Sequence, residues 1–453
     1  MPARRMVRLF SVLLLFASTC AAQQSATGSH EFSFTQPDVE LLDRSNQLDK
    51  KFQEKGLVFN DSETTKYLTK VGLSVLPAGA EYQNVHWQFF VLRDPTPNAF
   101  ALPNGSIYVH TGLLAELTNE AQLAGVLAHE ETHVTNRHGY LENRSYRKKA
   151  EAGIILAGAA SAAGLGIGVG NEVFWIVQLA IPSILASSIN GYSRDLEQEA
   201  DLRAVHALVD TGYSAAEMKS TFDALQQDHE VDLSRKSFYQ DHPKLQERSR
   251  YVGNLAASIQ HDSSNSRVDA DQYLIETESA VRQDADLEIR SGRARTAVWE
   301  MERIVKRDDK LADNFYVLGE AYRGLGPRTP EPQPEELTNK GKDTTRKQME
   351  KMTPQEYEAA LLKAPGAQQT LESNQQLAEK NYRKAIEMSP ELAGPHKGLG
   401  FMYQQELKPA QSVQEFKKYL ELAPSAMDSP QITRRIEALE KGTAGKSQAT
   451  GAN

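Results

Sequence analysis

The chain has 453 residues, which is more than one ordinary domain uses and predicts two or three domains. Apolar residues make up 40% and charged residues 25%, a globular composition that allows a sizeable core. The net charge is -9 and no long basic block stands out, so no nucleic acid is expected among the partners.

The N-terminal segment has the layout of a secretory signal. Arginines at positions 4, 5 and 8 precede the apolar run 9–17, and small residues follow before the sequence turns polar. This order predicts a signal peptide over residues 1–22, because the apolar run is too short to span a membrane. A lipoprotein anchored through Cys20 is the less favoured alternative. Cys20 is the only cysteine, so the mature chain has no disulfide, which suits the bacterial periplasm.

The next signals predict strands followed by a helix. Residues 85–91 are rich in branched and aromatic side chains, which is typical of a strand. Residues 98–109 contain two apolar runs on either side of Asn104-Gly105, a dipeptide that indicates a hairpin. Asn119 then stands before a periodic apolar pattern, which predicts an amphipathic helix with an asparagine cap.

That predicted helix contains the segment His129-Glu130-Glu131-Thr132-His133. Its two histidines are four residues apart, a spacing that puts both imidazoles on one helix face, where they can bind a single zinc ion. The carboxylate of Glu130 would take a proton from the attacking water. A chance match on a surface helix is the alternative, and a third ligand is needed to decide between the two.

A later acidic segment supplies the third ligand. No histidine lies six residues after His133, and His138 is interpreted as a helix-end or surface residue. Glu197 and Asp201 are one turn apart on a predicted helix, so Glu197 can bind zinc while Asp201 orients a ligand histidine. Glu199 is interpreted as solvated. On its own this segment favours a solvated helix face, but together with the first motif it predicts one Zn2+ site per chain.

Between these motifs, residues 152–189 form two apolar legs around a single charged residue, Glu172. A buried helical hairpin in the domain core is the favoured interpretation. The alternative is a hairpin that touches a membrane, helped by Arg144, Arg147 and the two lysines that follow them. The sequence leaves peripheral membrane contact open.

The C-terminal part, residues 270–442, contains a repeat. Tyr382 recurs as Phe416 after 34 residues, which is the tetratricopeptide period. Residues 327–373 interrupt one repeat as an insertion. Residues 443–453 are rich in Gly, Ser, Ala and Thr, and are predicted to be disordered.

Together the motifs resemble the gluzincin metalloproteases of the HtpX and Oma type. The resemblance rests on segments 119–138 and 193–201 and on Gly212-Tyr213, and it is strongest to the periplasmic members with tetratricopeptide repeats. It implies a mostly helical α+β fold, with a zincin-type protease domain over residues 23–265 and an all-α repeat superhelix after it. It also implies quality control of unfolded, extended or misassembled outer-membrane proteins, near the barrel-assembly machinery.

The resemblance assigns further roles to individual residues. His242, with Arg248 six residues later, matches a loop whose histidine occupies the fourth zinc position and keeps the enzyme latent. A strand beside the active site, whose exposed edge would bind extended substrates, matches Asn98, Ala99, Phe100 and Ala101. A simple core hairpin is the alternative for that strand.

The interior of the zinc motif departs from the family pattern, which has an apolar and then a small residue where this chain has Glu131 and Thr132. Glu131 is expected either to face solvent or to place a second negative charge near the site. Tyr192 and Tyr239 are candidates for stabilising the transition state. The sequence thus predicts a periplasmic zinc endopeptidase. The alternatives are a largely latent protease that acts as a chaperone or scaffold, and a membrane-anchored processing protease.

Overall fold

The computed structural model describes residues 33–77, 85–151, 192–226, 245–259, 266–307, 310–330, 356, 359 and 361–450. Several predictions fall outside these residues: the signal peptide 1–22, the apolar segment 152–189, Tyr239, His242 and most of the insertion 327–373. Among the described residues, none of the helices combines the length and the apolar character needed to cross a membrane.

The first part of the chain builds a small sheet covered by helices. Helices α1 (Gln36–Glu54) and α2 (Ser62–Val75) precede strands β1 (Gln88–Leu92), β2 (Ala99–Ala101) and β3 (Ser106–His110). The strand order is β1-β3-β2, with β1 parallel and β2 antiparallel to β3, so β2 forms one edge of the described sheet. The predicted strand and hairpin are confirmed.

The turn between β2 and β3 explains the register of the hairpin. Gly105 has a φ of +97°, a left-handed conformation that glycine adopts without strain. A Cβ at this position would lie 2.8 Å from a backbone oxygen. The Asp49 carboxylate on α1 accepts hydrogen bonds from Asn104 at 2.6 Å and from Tyr108 at 2.6 Å. These bonds fix α1 against the hairpin.

After α3 (Thr111–Glu116), helix α4 (Glu120–Thr135) contains the zinc motif. It begins as predicted, because the Asn119 side chain accepts a 2.9 Å hydrogen bond from the N–H of Gln122. The helix is buried on all sides as far as Val134, rather than along one face. It therefore lies inside the core of the protease domain.

Four more helices complete the protease part of the structure. Helix α5 (His138–Glu151) follows α4 after Arg137, whose φ is +58°. Helix α6 (Arg194–Asp210) packs along α4, and α7 (Ala216–Ala224) contacts α4 as well. Helix α8 (Leu245–Ile259) packs against α6 and α7. The site is thus assembled from segments far apart in sequence.

Two of the basic residues considered for membrane contact are engaged within the domain. Arg144 on α5 forms an ion pair with Asp38 on α1 and donates a 2.9 Å hydrogen bond to the backbone of Ser33. Arg147 lies 3.1 Å from a carboxylate oxygen of Glu40. Both cations therefore tie α5 to α1, which leaves them less available for a lipid surface.

The C-terminal part consists of helices that pack in consecutive pairs. Helix α9 (Ala270–Arg290) packs on α10 (Ala294–Arg307), α11 (Ala312–Leu325) on α12 (Ala367–Met388), and α13 (Ala393–Gln405) on α14 (Pro409–Leu422). The predicted insertion 327–373 follows α11, and its last residues, 367–373, belong to α12. A Cβ at Gly400 would lie 2.5 Å from the ring of Phe416, so the small residue lets the paired helices approach. The predicted mostly helical α+β fold is confirmed, whereas the tetratricopeptide identity of these pairs stays a prediction.

The last helix, α15 (Ser429–Thr450), extends into the segment 443–453. The disorder of that segment stays a prediction.

Helices α9 and α10 attach the helix pairs to the protease part. The Tyr273 hydroxyl on α9 donates a 2.6 Å hydrogen bond to the backbone oxygen of Leu114 on α3. Arg303 on α10 donates to the backbone oxygen of Leu117 at 3.3 Å. These contacts make α3 the junction between the two parts.

Candidate metal centre

Three side chains from α4 and α6 converge at one point. His129 Nε2 lies 3.0 Å from His133 Nε2 and 3.5 Å from Glu197 Oε2, and His133 Nε2 lies 3.8 Å from Glu197 Oε1. Tetrahedral zinc bonds of about 2.0–2.1 Å place ligand atoms about 3.3 Å apart. Two imidazoles and a carboxylate also form a donor set that catalytic zinc takes, so these residues fit the ion. The structure brings the three predicted ligands together.

The carboxylate of Asp201 contacts the ring nitrogen of His129 that is not aimed at the metal centre. Its Oδ1 lies 2.9 Å from His129 Nδ1, the ring nitrogen that faces away from His133. Arg248 from α8 donates two hydrogen bonds of 2.8 and 2.9 Å to the same carboxylate, and its Nη1 lies 3.1 Å from Glu197 Oε2. The hydroxyl of Tyr251 also donates to Asp201. The sequence indicated Asp201 and Arg248 but gave no signal for Tyr251.

Tyr192 touches two of the three candidate ligands. Its ring stacks on the ring of His133 with the centroids 4.0 Å apart, and its backbone N–H donates a 3.0 Å hydrogen bond to Glu197 Oε1. These contacts restrain both side chains. The predicted role of Tyr192 in stabilising the transition state stays a prediction.

His138 is the first residue of α5, as the helix-end interpretation expects, but it is buried against His133 rather than lying on the surface. It is 1% exposed, and its Nδ1 lies 2.8 Å from Nδ1 of His133. The reason is the turn at Arg137, after which α5 packs against α4. Glu199 is exposed, as its interpretation as a solvated residue expects, and its carboxylate also accepts a 2.6 Å hydrogen bond from Asn136 and lies 3.5 Å from His138 Nε2.

The charges around the histidines favour a cation at this point. Burial lowers the pKa of His129, but the hydrogen bonds and charges of Asp201 and Glu197 outweigh it and raise the pKa to about 10. Burial and the charge of His129 hold the pKa of His133 well below its usual value. Burial opposes ionisation of Glu197, but His129 and Arg248 hold the pKa of its carboxyl well below the usual value. A divalent cation would occupy the place of the proton that the site otherwise holds.

Glu130 is the candidate proton carrier. It is 5% exposed, and burial is the main cause that raises the pKa of its carboxyl to about 7. A hydrogen bond with the backbone of Ala101 on β2 acts in the opposite direction. A carboxyl with a pKa near neutrality can both accept and return a proton.

The predicted substrate strand, residues 98–101, lies at the sheet edge beside this carboxyl. The backbone of residues 98 and 102 pairs with β3 at 2.9 and 2.8 Å, so the backbone groups of Ala99 and Ala101 point away from β3. Asn98, Ala99, Phe100 and Ala101 are all buried. The expected edge position is therefore present, but the edge is covered rather than exposed because α4 packs against β2.

Glu131 meets neither of its two expectations. It is fully buried, both carboxylate oxygens lack a hydrogen-bond partner among the described residues, and burial raises its pKa well above the usual value. The expectations were wrong because α4 is enclosed on every side. Thr132 fits the core more easily, since its hydroxyl donates a 2.8 Å hydrogen bond to the backbone oxygen of Ala128.

Two histidines one helical turn apart, a glutamate from a later helix and a buried glutamate between the histidines define a gluzincin-type zinc metallopeptidase site. Residues 62–255 match Peptidase family M48. Residues 62–255 are therefore an M48 zinc-metallopeptidase domain, which confirms the family resemblance for this part of the chain.

Proteins from other organisms are similar to part of this chain. The chain is 30% identical over 201 residues to the putative beta-barrel assembly-enhancing protease of Vibrio cholerae, covering 42% of this chain and 39% of that protein. The beta-barrel assembly-enhancing protease of Escherichia coli is 28% identical over 178 residues, covering 37% and 34%. The mitochondrial metalloendopeptidase OMA1 of Schizosaccharomyces pombe is 38% identical over 96 residues, covering 21% and 28%. The chain thus spans less than two-fifths of the length of these relatives.

Proposed function

We propose that this chain is a periplasmic zinc endopeptidase that degrades misfolded or misassembled envelope proteins, outer-membrane proteins among them. The observation that carries the proposal is the convergence of His129, His133 and Glu197 next to the buried carboxyl of Glu130. Two similar proteins have names that refer to beta-barrel assembly, which supports the substrate class. The periplasmic location rests on the predicted signal peptide 1–22.

The residues of this site have distinct tasks in peptide hydrolysis. Zinc, when bound, supplies a Lewis acid that polarises the scissile carbonyl and the attacking water. Glu130 accepts the proton of that water and passes it to the leaving nitrogen. Asp201 orients the His129 ring, and Arg248 keeps Glu197 and Asp201 in place through contacts with both carboxylates. Proton transfer thus depends on one residue and positioning on the others.

An extended substrate would pair with the outer edge of β2. The outward backbone groups of Ala99 can bond to any main chain, and those of Ala101 can do so once the hydrogen bond with Glu130 is released, which supports a broad preference for unfolded polypeptides. Because this edge is covered, substrate entry requires it to open. In this proposal, helices α9 to α15 restrict entry and recruit substrates at the barrel-assembly machinery. For residues 152–189, a buried helical hairpin stays the favoured interpretation and peripheral membrane contact stays the alternative.

The test combines metal analysis with degradation of an unfolded polypeptide by the purified chain. Wild type is expected to hold one zinc ion and to degrade the substrate. Glu130→Gln is expected to keep the zinc and to lose activity by a factor of about 100 or more, since general base catalysis contributes that much. Glu63→Gln, on the exposed surface of α2, is the matched control. A Glu130→Gln variant as active as this control would contradict the proposal.

The predicted latch is tested in the same assay. If His242 occupies the fourth zinc position in a latent state, His242→Ala raises the rate of degradation. An unchanged or lower rate would count against the latch without affecting the zinc site.

A latent protease that acts as a chaperone or scaffold is the second candidate function, and the covered edge of β2 favours it. Full cellular activity of Glu130→Gln would establish this candidate over proteolysis. A membrane-anchored processing protease, in turn, would resist extraction by salt or carbonate without detergent.

A further inference from the structure

The two candidate zinc histidines differ in what holds their second ring nitrogen. For His129, this nitrogen is Nδ1, and it faces the carboxylate of Asp201 at 2.9 Å. For His133, it is also Nδ1, and it faces another imidazole, Nδ1 of His138, at 2.8 Å. The rings of His133 and His138 stand at 70° to each other with their centroids 4.9 Å apart. Such an edge contact suits a hydrogen bond better than stacking.

The proton positions in this pair follow from which atom faces the metal centre. Nε2 of His133 lies 3.0 Å from Nε2 of His129, so it is the atom that offers its lone pair to zinc. The ring proton of a neutral His133 must then be on Nδ1, which makes Nδ1 a donor. His138 can accept that bond only if its own Nδ1 carries no proton. Its proton is therefore on Nε2, the nitrogen that faces the Glu199 carboxylate at 3.5 Å.

We propose that His138 is a positioning residue for zinc, which acts through His133 as the acceptor of the hydrogen bond from His133 Nδ1, with Glu199 keeping His138 in the required tautomer. This inference rests on the proposed zinc function. An accepted hydrogen bond on the far ring nitrogen fixes the orientation of a ligand imidazole and raises its basicity. A neutral imidazole is a weaker acceptor than the Asp201 carboxylate, so His133 is the less strongly supported of the two histidines.

A purely structural role for His138 makes a different prediction. In that case the residue would only fill volume between α4 and α5, and an apolar ring of similar size would replace it. If it acts as an acceptor, the oxygen of an asparagine near the position of Nδ1 would replace it instead. The pair His138→Phe and His138→Asn therefore separates packing from hydrogen bonding. His206, an exposed histidine on α6, supplies His206→Phe as the matched control.

The experiment measures zinc affinity by competition with a chromophoric chelator, and the visible spectrum of the cobalt-substituted protein. His138→Phe is expected to weaken zinc binding about 10- to 100-fold and to shift the cobalt spectrum. His138→Asn is expected to remain within about threefold of wild type. Glu199→Gln should cause a smaller loss than His138→Phe, because Glu199 acts one residue further away. His206→Phe should match wild type.

Thermal unfolding of the zinc-free variants shows whether folding is affected. Equal losses of affinity in the Phe and Asn variants, or wild-type affinity with an unchanged cobalt spectrum in His138→Phe, would overturn the inference. If His138→Phe fails to fold, His138→Asn and Glu199→Gln are compared instead. The inference then requires that His138→Asn bind zinc at least as tightly as Glu199→Gln. If the wild-type chain binds no zinc while His138 variants fold normally, it is the proposed function that fails.

Discussion

Replacing Glu131 with leucine is expected to stabilise the protease domain. The side chain is fully buried on α4, and neither carboxylate oxygen has a hydrogen-bond partner among the described residues. A buried polar group without a partner costs about 1–3 kcal/mol, and more when it is charged. Leucine fills much of the same volume, and its helix propensity is close to that of glutamate, so the backbone contributes little to the difference.

The raised pKa of Glu131 also predicts how the stability difference between wild type and each variant changes with pH. Burial raises the pKa of Glu131 well above its usual value, so the folded protein keeps a proton that the unfolded chain releases above about pH 4.3. The protonated form of Glu131 is the one that the fold tolerates better. The free energy of unfolding is therefore highest below that pH and falls as the pH rises through the folded-state pKa of Glu131. Glu131→Gln removes the ionisation but keeps the polar atoms. It should match wild type at low pH and exceed it at high pH, whereas Glu131→Leu should exceed wild type at both.

Thermal unfolding of the zinc-loaded protein, followed by circular dichroism at about pH 5 and about pH 8, measures both variants. A gain of about 1–3 kcal/mol corresponds to a rise in Tm of about 2–12 °C for a domain of this size. Lower Tm values for Glu131→Leu at both pH values would refute the reasoning, because they would show that the carboxyl makes stabilising interactions.

Three other predictions follow from the same structure. Glu300→Gln should stabilise α10 against α9 by about 1–3 kcal/mol at about pH 8 and by less at about pH 5, because burial and the carboxylate of Asp284 raise the pKa of Glu300 well above its usual value. Equal shifts of the thermal unfolding temperature at both pH values would contradict this prediction. Zinc affinity should fall about tenfold for each pH unit below about pH 9, because zinc displaces the proton of His129, whose pKa the neighbouring carboxylates raise to about 10. Competition with a chelator measures the affinity at each pH, and an affinity that does not change with pH would exclude this displacement. Gly105→Ala should lower the free energy of unfolding, measured by chemical denaturation, by about 1–3 kcal/mol and by more than Gly56→Ala does. Gly56 has a φ of +66°, but no atom lies within 4 Å of the Cβ that alanine would add there. Equal losses would mean that the structure relieves the close contact of the added Cβ at position 105.

The ligand histidines were predictable because their relation is local. A spacing of four residues puts His129 and His133 on one helix face whatever the helix packs against. The cap at Asn119 and the hairpin turn at Gly105 are local in the same sense, since each depends on the conformation of two or three consecutive residues. Predictions of this kind agreed with the structure.

The residues that support the ligands were harder to predict because their contacts depend on how helices pack. No spacing rule relates Tyr251 on α8 to Asp201 on α6, or sets the angle at which His138 on α5 meets His133. The burial of Glu131 was not predicted for the same reason. An amphipathic pattern predicts one buried face, yet α4 is enclosed by the sheet and by five helices, so even a glutamate is buried.

The balance of charge explains why this packing favours a cation. Asp201 and Glu197 contribute two negative charges close to the histidines, and Arg248 contributes one positive charge that contacts both carboxylates. One negative charge remains uncompensated in a buried setting, where an unpaired charge is costly. A proton on His129 compensates it in the absence of metal, and a divalent ion compensates it more fully while also satisfying the lone pairs of both imidazoles. The supporting residues thus contribute to metal affinity through charge as well as through orientation.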